Sequence, residues 1–584
     1  MQIYMHQTHH TMADFNGIFS YLENVVDMIE KNEYKQGLHL FPESYSTGYP
    51  LQDLCVQRSF IKNYLELIER IEKLAKRLQG HESVILFGGQ VYEFDEDQLP
   101  LSIENVIYEL SAKGLKDIYS KKLLPNYDIF DEKKYYREGN RSSLYRYQDK
   151  QLALLICEDM WYSSHHEVNP LDDLEAEITK NNIELDAIIN LSASPFYLGK
   201  DSARLKRASE ISQDFKCPFI YVNKVGAEDE ILFDGSSFVL IGNKVQERAS
   251  LFTPDVVSFA LEKYQWDEKR AKKNVKLVNS WEGLFAATLT KKEKSLPTLR
   301  ELSDNDCELI LHSIKLGVQD YVKKTGLKNF LVALSGGIDS ALVLAILKLI
   351  KTPEQNLEAI YMPGFFSATL SYDLSKELCE NIGIKLRNLP IKFLHSNVNN
   401  LFKETFGDEL DGLADENVQS RLRGALLYTR SNQTGAMVIN TSNKSEIAVG
   451  YSTLYGDSVG ALSILGDLYK TEVFALARYI NRKYNNLLPE QIITRPPSAE
   501  LREDQEDSHS LPPYERLDAI LEGFLSYRYD CQDLINEGFN QAEVEKAYRL
   551  YNISEYKRKQ FCPIVKLKAK SFGFGYRMPI CKTF

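Results

Sequence analysis

FLVALSGGIDSALVLAILKLI, residues 330–350, carries the reading that fixes the fold of the second half of the chain. A short β-rich run, FLVALS, meets two glycines and then an apolar stretch, ALVLAILKLI (341–350), broken only by Lys348. That pattern predicts a strand, a glycine turn and a buried helix from about 338 to 350. In SGGIDS, Ser335 to Ser340, backbone amides and hydroxyls therefore converge on a helix N-terminus, a place that attracts phosphate. The glycines let the backbone approach closely, and Asp339 offers a hard oxygen suited to Mg²⁺ bridging phosphates. The loop lacks the GK[ST] ending, so no lysine of this motif reaches a transferring γ-phosphate. The plainer alternative is a Gly-Gly turn with a capping Asp.

Working outward, the segment 306–326 (DCELILHSIKLGVQDYVKKTG) reads as a helix before the strand. The strand LEAIYMP and the helix SYDLSKELCENIG follow it, giving the βαβ rhythm of a doubly wound parallel sheet. The first half alternates buried-strand runs at 38–43, 83–89, 152–157, 187–194 and 219–225 with amphipathic helical segments at 15–31 and 60–78. Between about 263 and 297 the text is charged and without period, which places a linker there. The expected organisation is an α/β chain of two domains, 1–262 and 301–584, joined by a linker at 263–300. The tail beyond 510 is mixed, and no internal repeat suggests a solenoid.

Composition narrows the class. The 584 residues carry a formal charge of −12 with 43% hydrophobic and 26% charged residues, which fits a large globular enzyme. An acidic balance argues against a general nucleic-acid binder. The start, MQIYMHQTHH, lacks a signal-peptide pattern, and no apolar run approaches membrane-spanning length, so no membrane association is expected. Eight cysteines are scattered without a CxxC pair, which points to a reducing, cytoplasmic setting with most thiols serving as packing groups.

The hexapeptide SGGIDS resembles the pyrophosphatase-type loop of enzymes that adenylate a carbonyl oxygen with ATP, among them NAD, GMP and asparagine synthetases. Such chemistry turns a carboxylate into a mixed anhydride while the loop holds the departing pyrophosphate. DENVQSRLRGALLYTRSN (415–432), INTSNKSEIAVGYSTLYGD (439–457), LGDLYKTEVFALA (465–477) and the stretch 496–518 each resemble NAD synthetases. That resemblance implies a C-terminal domain of the adenine nucleotide alpha hydrolase type. It implies that Ala333, Leu334, Ser335, Gly336, Gly337, Ile338, Asp339, Ser340 and Thr441 contact ATP. Asp339 and Glu446 would serve the metal, and Asn417, Glu446, Tyr451 and Lys566 would contact deamido-NAD. Asp457 and Lys470 are further candidates near the phosphates, although Tyr451 could simply pack and Lys470 could be a solvated helix residue.

In the first half, Cys157 ends the apolar strand LALLIC beside Glu158, Asp159 and Trp161. Taken alone, such a thiol is packing. Two other segments change the balance: FPES sets Glu43 at a strand end, and YSKKLLPNYDIFDEKKYYREG (119–139) carries lysines just before a Leu-Pro-Asn-Tyr turn. The succession FPE, KxxLPNY, ICED resembles the carbon-nitrogen hydrolase (nitrilase) superfamily with its Glu, Lys and Cys constellation, here Glu43, Lys121 and Cys157. It implies a nitrilase-like α-β-β-α sandwich. Lys121 fits the KxxLP spacing and Lys122 is one position out, with one of the two expected at the surface. A thiol needs a base to become a nucleophile, and an ammonium favours the thiolate and the oxyanion that follows.

ASPFYLGK (193–200) and YVNKVGAEDEILFDGSS (221–237) further resemble the glutaminase domain fused to glutamine-dependent NAD synthetases, which implies that Tyr127, Ser194 and Lys200 hold glutamine. Ala227-Glu228 departs from the Gly-Gln that usually precedes the Asp at 229. The joint expectation is a ligase using glutamine, ATP with Mg²⁺, and deamido-NAD, with ammonia passed between the sites in a homo-oligomer for which the resemblance suggests an octamer. A ligase with another carboxylate acceptor, or a scaffold with dead sites, are the alternatives. No GxGxxG follows a strand, so a redox Rossmann reading has no support.

Overall fold

The computed structural model describes all residues except 98, 163–165, 265, 267–298, 498–499, 503–510 and 584. The expected linker therefore lies mostly outside the described residues, as does part of the 496–518 stretch. The chain divides into two compact units, Met1–Ala287 and Thr288–Phe584.

The first unit contains, in chain order, β1 (Gln2–Gln7), β2 (Gly37–Leu40), β3 (Val84–Phe94), β4 (Pro100–Ser111), β5 (Gly114–Ser120), β6 (Leu144–Tyr147), β7 (Lys150–Ile156), β8 (Ala187–Ser192), β9 (Phe219–Asn223), β10 (Val225–Glu228), β11 (Ile231–Asp234), β12 (Phe238–Ile241), β13 (Lys244–Arg248) and β14 (Asp255–Ala260). Two six-stranded sheets form, ordered β14-β1-β2-β3-β4-β5 and β13-β12-β9-β8-β7-β6. The centre of each sheet is parallel and its flanks are antiparallel.

The continuous apolar runs follow from burial on both faces. Leu152, Leu154 and Ile156 of β7 enter the core between the sheets with Ile3, Met5, Leu38 and Leu40. Ala153 and Leu155 face the other way, under Leu171 and Ala208 of the helices Pro170–Asn181 and Lys200–Asp214. On the first sheet, Ile85 and Phe87 pack beneath the helices Phe15–Glu30 and Arg58–Leu74. The result is the expected α-β-β-α sandwich. The strands β3 to β5 form an antiparallel meander that the sequence reading resolved only at its first strand.

The layering delivers chain ends to one rim. Glu43 follows β2, Cys157 follows β7 and Ser194 follows β8, all at C-terminal ends of parallel strands, and Lys121 follows β5. Gly88 on β3 makes this approach possible, because a Cβ there would meet the Ser44 nitrogen at 2.2 Å and the Glu43 carbonyl carbon at 2.6 Å.

In the second unit, β15 (Asn329–Ala333), β16 (Leu357–Tyr361), β17 (Leu386–Asn388), β18 (Ala436–Asn440) and β19 (Leu462–Ser463) form one parallel sheet ordered β17-β16-β15-β18-β19. The order reverses between β15 and β18, and ligands of open α/β sheets bind at such a switch point, outside the carboxyl ends of the strands. SGGIDS leaves β15 there and opens the helix Ile338–Ile350. The mixed tail resolves into helices, including Tyr514–Leu525 and Gln541–Ile553, that build a second core around Leu517, Ile520 and Phe524. No described helix is long and apolar enough to cross a membrane.

A fully buried ion pair ties the rim of the first unit together. The Arg204 guanidinium donates to both Asp234 oxygens at 2.8 Å and to the carbonyls of Ser194 (2.8 Å) and Pro195 (3.1 Å). Arg204→Met, which strands the Asp234 carboxylate in the core, is expected to cost about 3–5 kcal/mol, and Arg204→Met/Asp234→Leu to recover most of it. Urea unfolding followed by tryptophan fluorescence checks this, since Trp161 and Trp266 fall within the first unit.

Two candidate active sites

The first site is built around a buried cation. Lys121 Nζ donates to Glu43 Oε1 and to Glu132 Oε1, each at 2.8 Å, and all three side chains are almost inaccessible to water. Glu43 also accepts from Asn105 Nδ2 on Oε1 and from the Ala193 amide on Oε2, each at 2.8 Å, and Tyr49 donates its hydroxyl to Glu132 at 2.8 Å. Burial works against the Lys121 charge, but Glu132, Glu43 and Cys157 outweigh it and hold the ammonium well above its ordinary pKa. The price of that arrangement falls on the surplus carboxylate: burial pushes Glu132 up to about 7, with Glu43 adding to the rise and Lys121 opposing it.

Cys157 is buried and sits at φ +42°, a left-handed conformation uncommon for a residue with a side chain. Its amide is held by Asn190 Oδ1 at 2.8 Å, and the turn after it is pinned by Asp159. Asp159 accepts from the amides of Ile156 (3.0 Å), Lys122 (3.0 Å) and Leu123 (2.8 Å) and from the Tyr119 hydroxyl (2.8 Å). One carboxylate thus fastens the Cys157 turn to the segment that carries Lys121. Burial raises the Cys157 thiol well above its ordinary pKa, Glu43 raises it further, and Lys121 pulls in the opposite direction.

Lys121 reaches Glu43. Lys122 is not at the surface as expected, because the Pro170–Asn181 helix covers it and Asp173 pairs with its ammonium at 3.0 Å. Tyr127 donates to Glu158 Oε1 at 3.0 Å, and burial raises Glu158 to about 7 against the pull of Lys121 and Lys200. The Lys200 ammonium lies 4.4 Å from the Trp161 ring centre, while Ser194 is buried beside Arg204 and Asn223. Glu228 forms an ion pair with Lys224 at 2.9 Å within the first unit. Sequence reasoning missed Glu132, which sits in the quoted 119–139 stretch among other acidic residues with nothing to single it out. Asn105 and Asn190 were legible in principle, as polar residues interrupting apolar strands.

The second site is a cavity of about 250 Å³ at the switch point of the parallel sheet. Ala333, Leu334, Ser335, Gly337, Ile338, Asp339, Ser340, Thr441, Glu446, Tyr451, Asp457 and Lys470 all line it. Gly336 has φ +83°, and a Cβ there would meet the Ser371 carbonyl oxygen at 2.5 Å, so the turn admits only glycine. Ser335 and Ser340 hydroxyls lie 3.0 Å apart and brace the loop.

Glu446 starts the short helix Lys444–Val449 through a capping box with Asn443, whose Nδ2 also donates to Asp339 Oδ1 at 2.9 Å. Lys470 opens the helix Lys470–Lys483; its ammonium pairs with Asp339 Oδ2 and donates to Glu446 Oε1 at 3.2 Å. The reading of Lys470 as a solvated residue is overturned, since its side chain is 2% exposed. Two hard-oxygen donors converging on one cation beside a phosphate loop fit Mg²⁺, which takes one or two carboxylates and completes its shell with phosphate and water. Among the described residues no cluster of three or more His, Cys, Asp or Glu is arranged to hold a metal alone. Asn417 accepts from the Thr453 hydroxyl at 2.6 Å and Lys566 donates to the Ala569 carbonyl at 2.9 Å, and neither is among the residues that line the cavity. Ser420, Arg423, Arg495 and Glu500 line the cavity without having been read from the sequence.

Comparison with known proteins agrees with both halves. Residues 5–252 match the carbon-nitrogen hydrolase family and residues 310–561 match NAD synthase. The glutamine-dependent NAD(+) synthetase of Aquifex aeolicus is 34% identical over 99% of this chain and 98% of its own. That of Synechocystis sp. is 35% identical over 94% and 93%. The solved glutamine-dependent NAD+ synthetase of Acinetobacter baumannii, in complex with ADP, is 28% identical with a TM-score of 0.68 over 99% of this chain and 98% of that one. With likeness of this extent along both units, the chain belongs to the family of glutamine-dependent NAD(+) synthetases.

Proposed function

We propose the following division of labour for the family reaction, in which deamido-NAD, ATP, glutamine and water give NAD, AMP, pyrophosphate and glutamate. Residues 1–262 form the glutaminase domain and 301–584 the synthetase domain. The observation that carries the reading is the coexistence in one chain of a buried Glu43–Lys121 pair acting on Cys157 and a phosphate-type loop facing Asp339, Glu446 and Lys470.

In the first domain Glu43 takes the Cys157 proton as the sulfur attacks the glutamine amide carbon, and Lys121 stabilises the tetrahedral oxyanion. The proton passes to the leaving nitrogen, ammonia departs, and a glutamyl thioester remains on Cys157. Glu43 then activates a water that releases glutamate and restores the thiol. Tyr127, Ser194 and Lys200 hold the glutamine.

In the second domain the loop from Ala333 to Ser340, with Thr441, binds ATP. Asn417, Glu446, Tyr451 and Lys566 orient deamido-NAD so that its carboxylate oxygen displaces pyrophosphate from the α-phosphorus. Ammonia then displaces AMP from the acyl adenylate. Mg²⁺ held by Asp339 and Glu446 would neutralise phosphate charge, while the loop amides keep the pyrophosphate in place. Ammonia would pass between the domains shielded from water, in a cytoplasmic homo-oligomer, an octamer being the size this reading suggests.

Cys157→Ala is expected to abolish NAD formation from glutamine while leaving synthesis from ammonium salts within about twofold, because only the donor site loses its nucleophile. Equal loss with both donors would contradict separate sites. Asp339→Ala is expected to lower synthesis from either donor by at least about 100-fold, as one carboxylate of a charge-neutralising site disappears. Incubation with amide-¹⁵N glutamine tests the whole sequence: label appears in the carboxamide of NAD, and unlabelled NAD from such a reaction would refute the donor assignment.

A further inference from the structure

The ammonium of Lys470 stands between the same two carboxylates that the proposed reaction assigns to a divalent cation. It pairs with Asp339 and lies 3.2 Å from Glu446 Oε1, and its side chain is buried while the carboxylates remain partly open to the cavity. Two negative charges and one positive charge leave the cluster with a single net negative charge. A divalent cation entering beside the ammonium would share its oxygens and stand within about 4 Å of a like charge.

We infer that Lys470 is a resident counter-cation: it holds Asp339 and Glu446 together in the nucleotide-free protein and excludes a divalent cation until phosphate draws its side chain away. The inference rests on Asp339 and Glu446 being the metal-binding pair, and it makes metal entry conditional on nucleotide.

The surroundings suit such a movement. The backbone at the start of the Lys470 helix is held by hydrogen bonds, so a change of partner would fall to the side chain. The Lys470 amide donates to Ser445 Oγ at 2.9 Å, and Ser445 in turn donates to the buried carboxylate of Asp518. Asp518 also accepts from the Thr471 amide (2.9 Å) and hydroxyl (2.8 Å). One buried side chain therefore fixes the N-termini of both helices that bear the cluster, those starting at Lys444 and Lys470. A four-carbon stem with a point-charge head can then change partners by torsion alone. Ser335, Gly337, Thr441 and Lys470 line one cavity, so a phosphate seated on the loop would share that cavity with the ammonium.

The test uses the full chain and Mn²⁺ as the probe, with protein-bound Mn²⁺ read by equilibrium dialysis, with and without α,β-methylene-ATP at equal concentration on both sides of the membrane. The wild type is expected to take up one Mn²⁺ per chain only when the nucleotide analogue is present. Lys470→Met is expected to bind Mn²⁺ without nucleotide at least about tenfold more tightly than the wild type, since the competing charge is gone. Lys470→Met/Asp339→Asn should lose that gain. Nucleotide-free wild type binding Mn²⁺ as tightly as Lys470→Met overturns the inference, as does a folded Lys470→Met with no gain. If Lys470→Met melts early, Lys470→Gln takes its place, and the wild-type arm decides by itself when Mn²⁺ binds regardless of nucleotide. Failure of the wild type to bind Mn²⁺ even with the analogue refutes the assignment of Asp339 and Glu446 as ligands, a different result from failure of the exclusion.

Discussion

A lysine ammonium sealed in the protein interior governs the first unit. An isolated charge in such a place would be very costly, so Lys121 requires carboxylates within hydrogen-bond reach, and Glu43 and Glu132 supply them at 2.8 Å. Everything around the pair follows from that demand. Glu43 must be delivered by one strand end, Lys121 by another, and Gly88 must lack a side chain for the approach to close. Burial, with the Glu43 carboxylate adding to it, holds the neighbouring Cys157 thiol well above its ordinary pKa, while Lys121 pulls the other way. In the proposed reaction the nucleophile is generated by proton transfer to Glu43 during attack.

The second unit repeats the motif of one ammonium between two carboxylates, with a different outcome set by exposure. The Glu43 and Glu132 side chains are 1% and 3% accessible, whereas Asp339 and Glu446 are 17% and 16% accessible and face a cavity. A cluster closed on all sides is permanent machinery. One that opens onto a phosphate-binding loop can exchange its cation, because water and ligand oxygens compensate the charges while partners change. Asp518 and Asp159 play matching parts in the two units: each is a fully buried carboxylate, Asp159 accepting three backbone amides and one hydroxyl and Asp518 one backbone amide and two hydroxyls, and each so fixes the backbone that bears a side chain of its site.

Sequence reasoning reached the strands that end at the sites because parallel strands buried on both faces leave uninterrupted apolar runs that stop where chemistry begins. LALLIC ends at Cys157 and FLVALS runs into the loop for this reason. The antiparallel flanks β4, β5, β13 and β14 were harder, since their alternation is weakened by partial exposure. Glu132 and Lys470 could not be ranked correctly from type and spacing. A glutamate in a charged stretch and a lysine at the start of an amphipathic helix are ordinarily solvated, and only packing removes the water from them.

What the sequence by itself determined is the inventory and its local setting: two α/β halves, a thiol and a glutamate each at a strand end, and a Gly-Gly turn into a helix N-terminus. These depend on contacts within a few residues, which composition and period record directly. What only the tertiary structure decided is which charges meet. Lys121 rather than Lys122 touches Glu43, Glu132 becomes its second partner, and Lys470 sits between Asp339 and Glu446. Those pairings join residues up to 131 positions apart, and their strength comes from the exclusion of water, a property of the packed chain that no stretch of sequence contains.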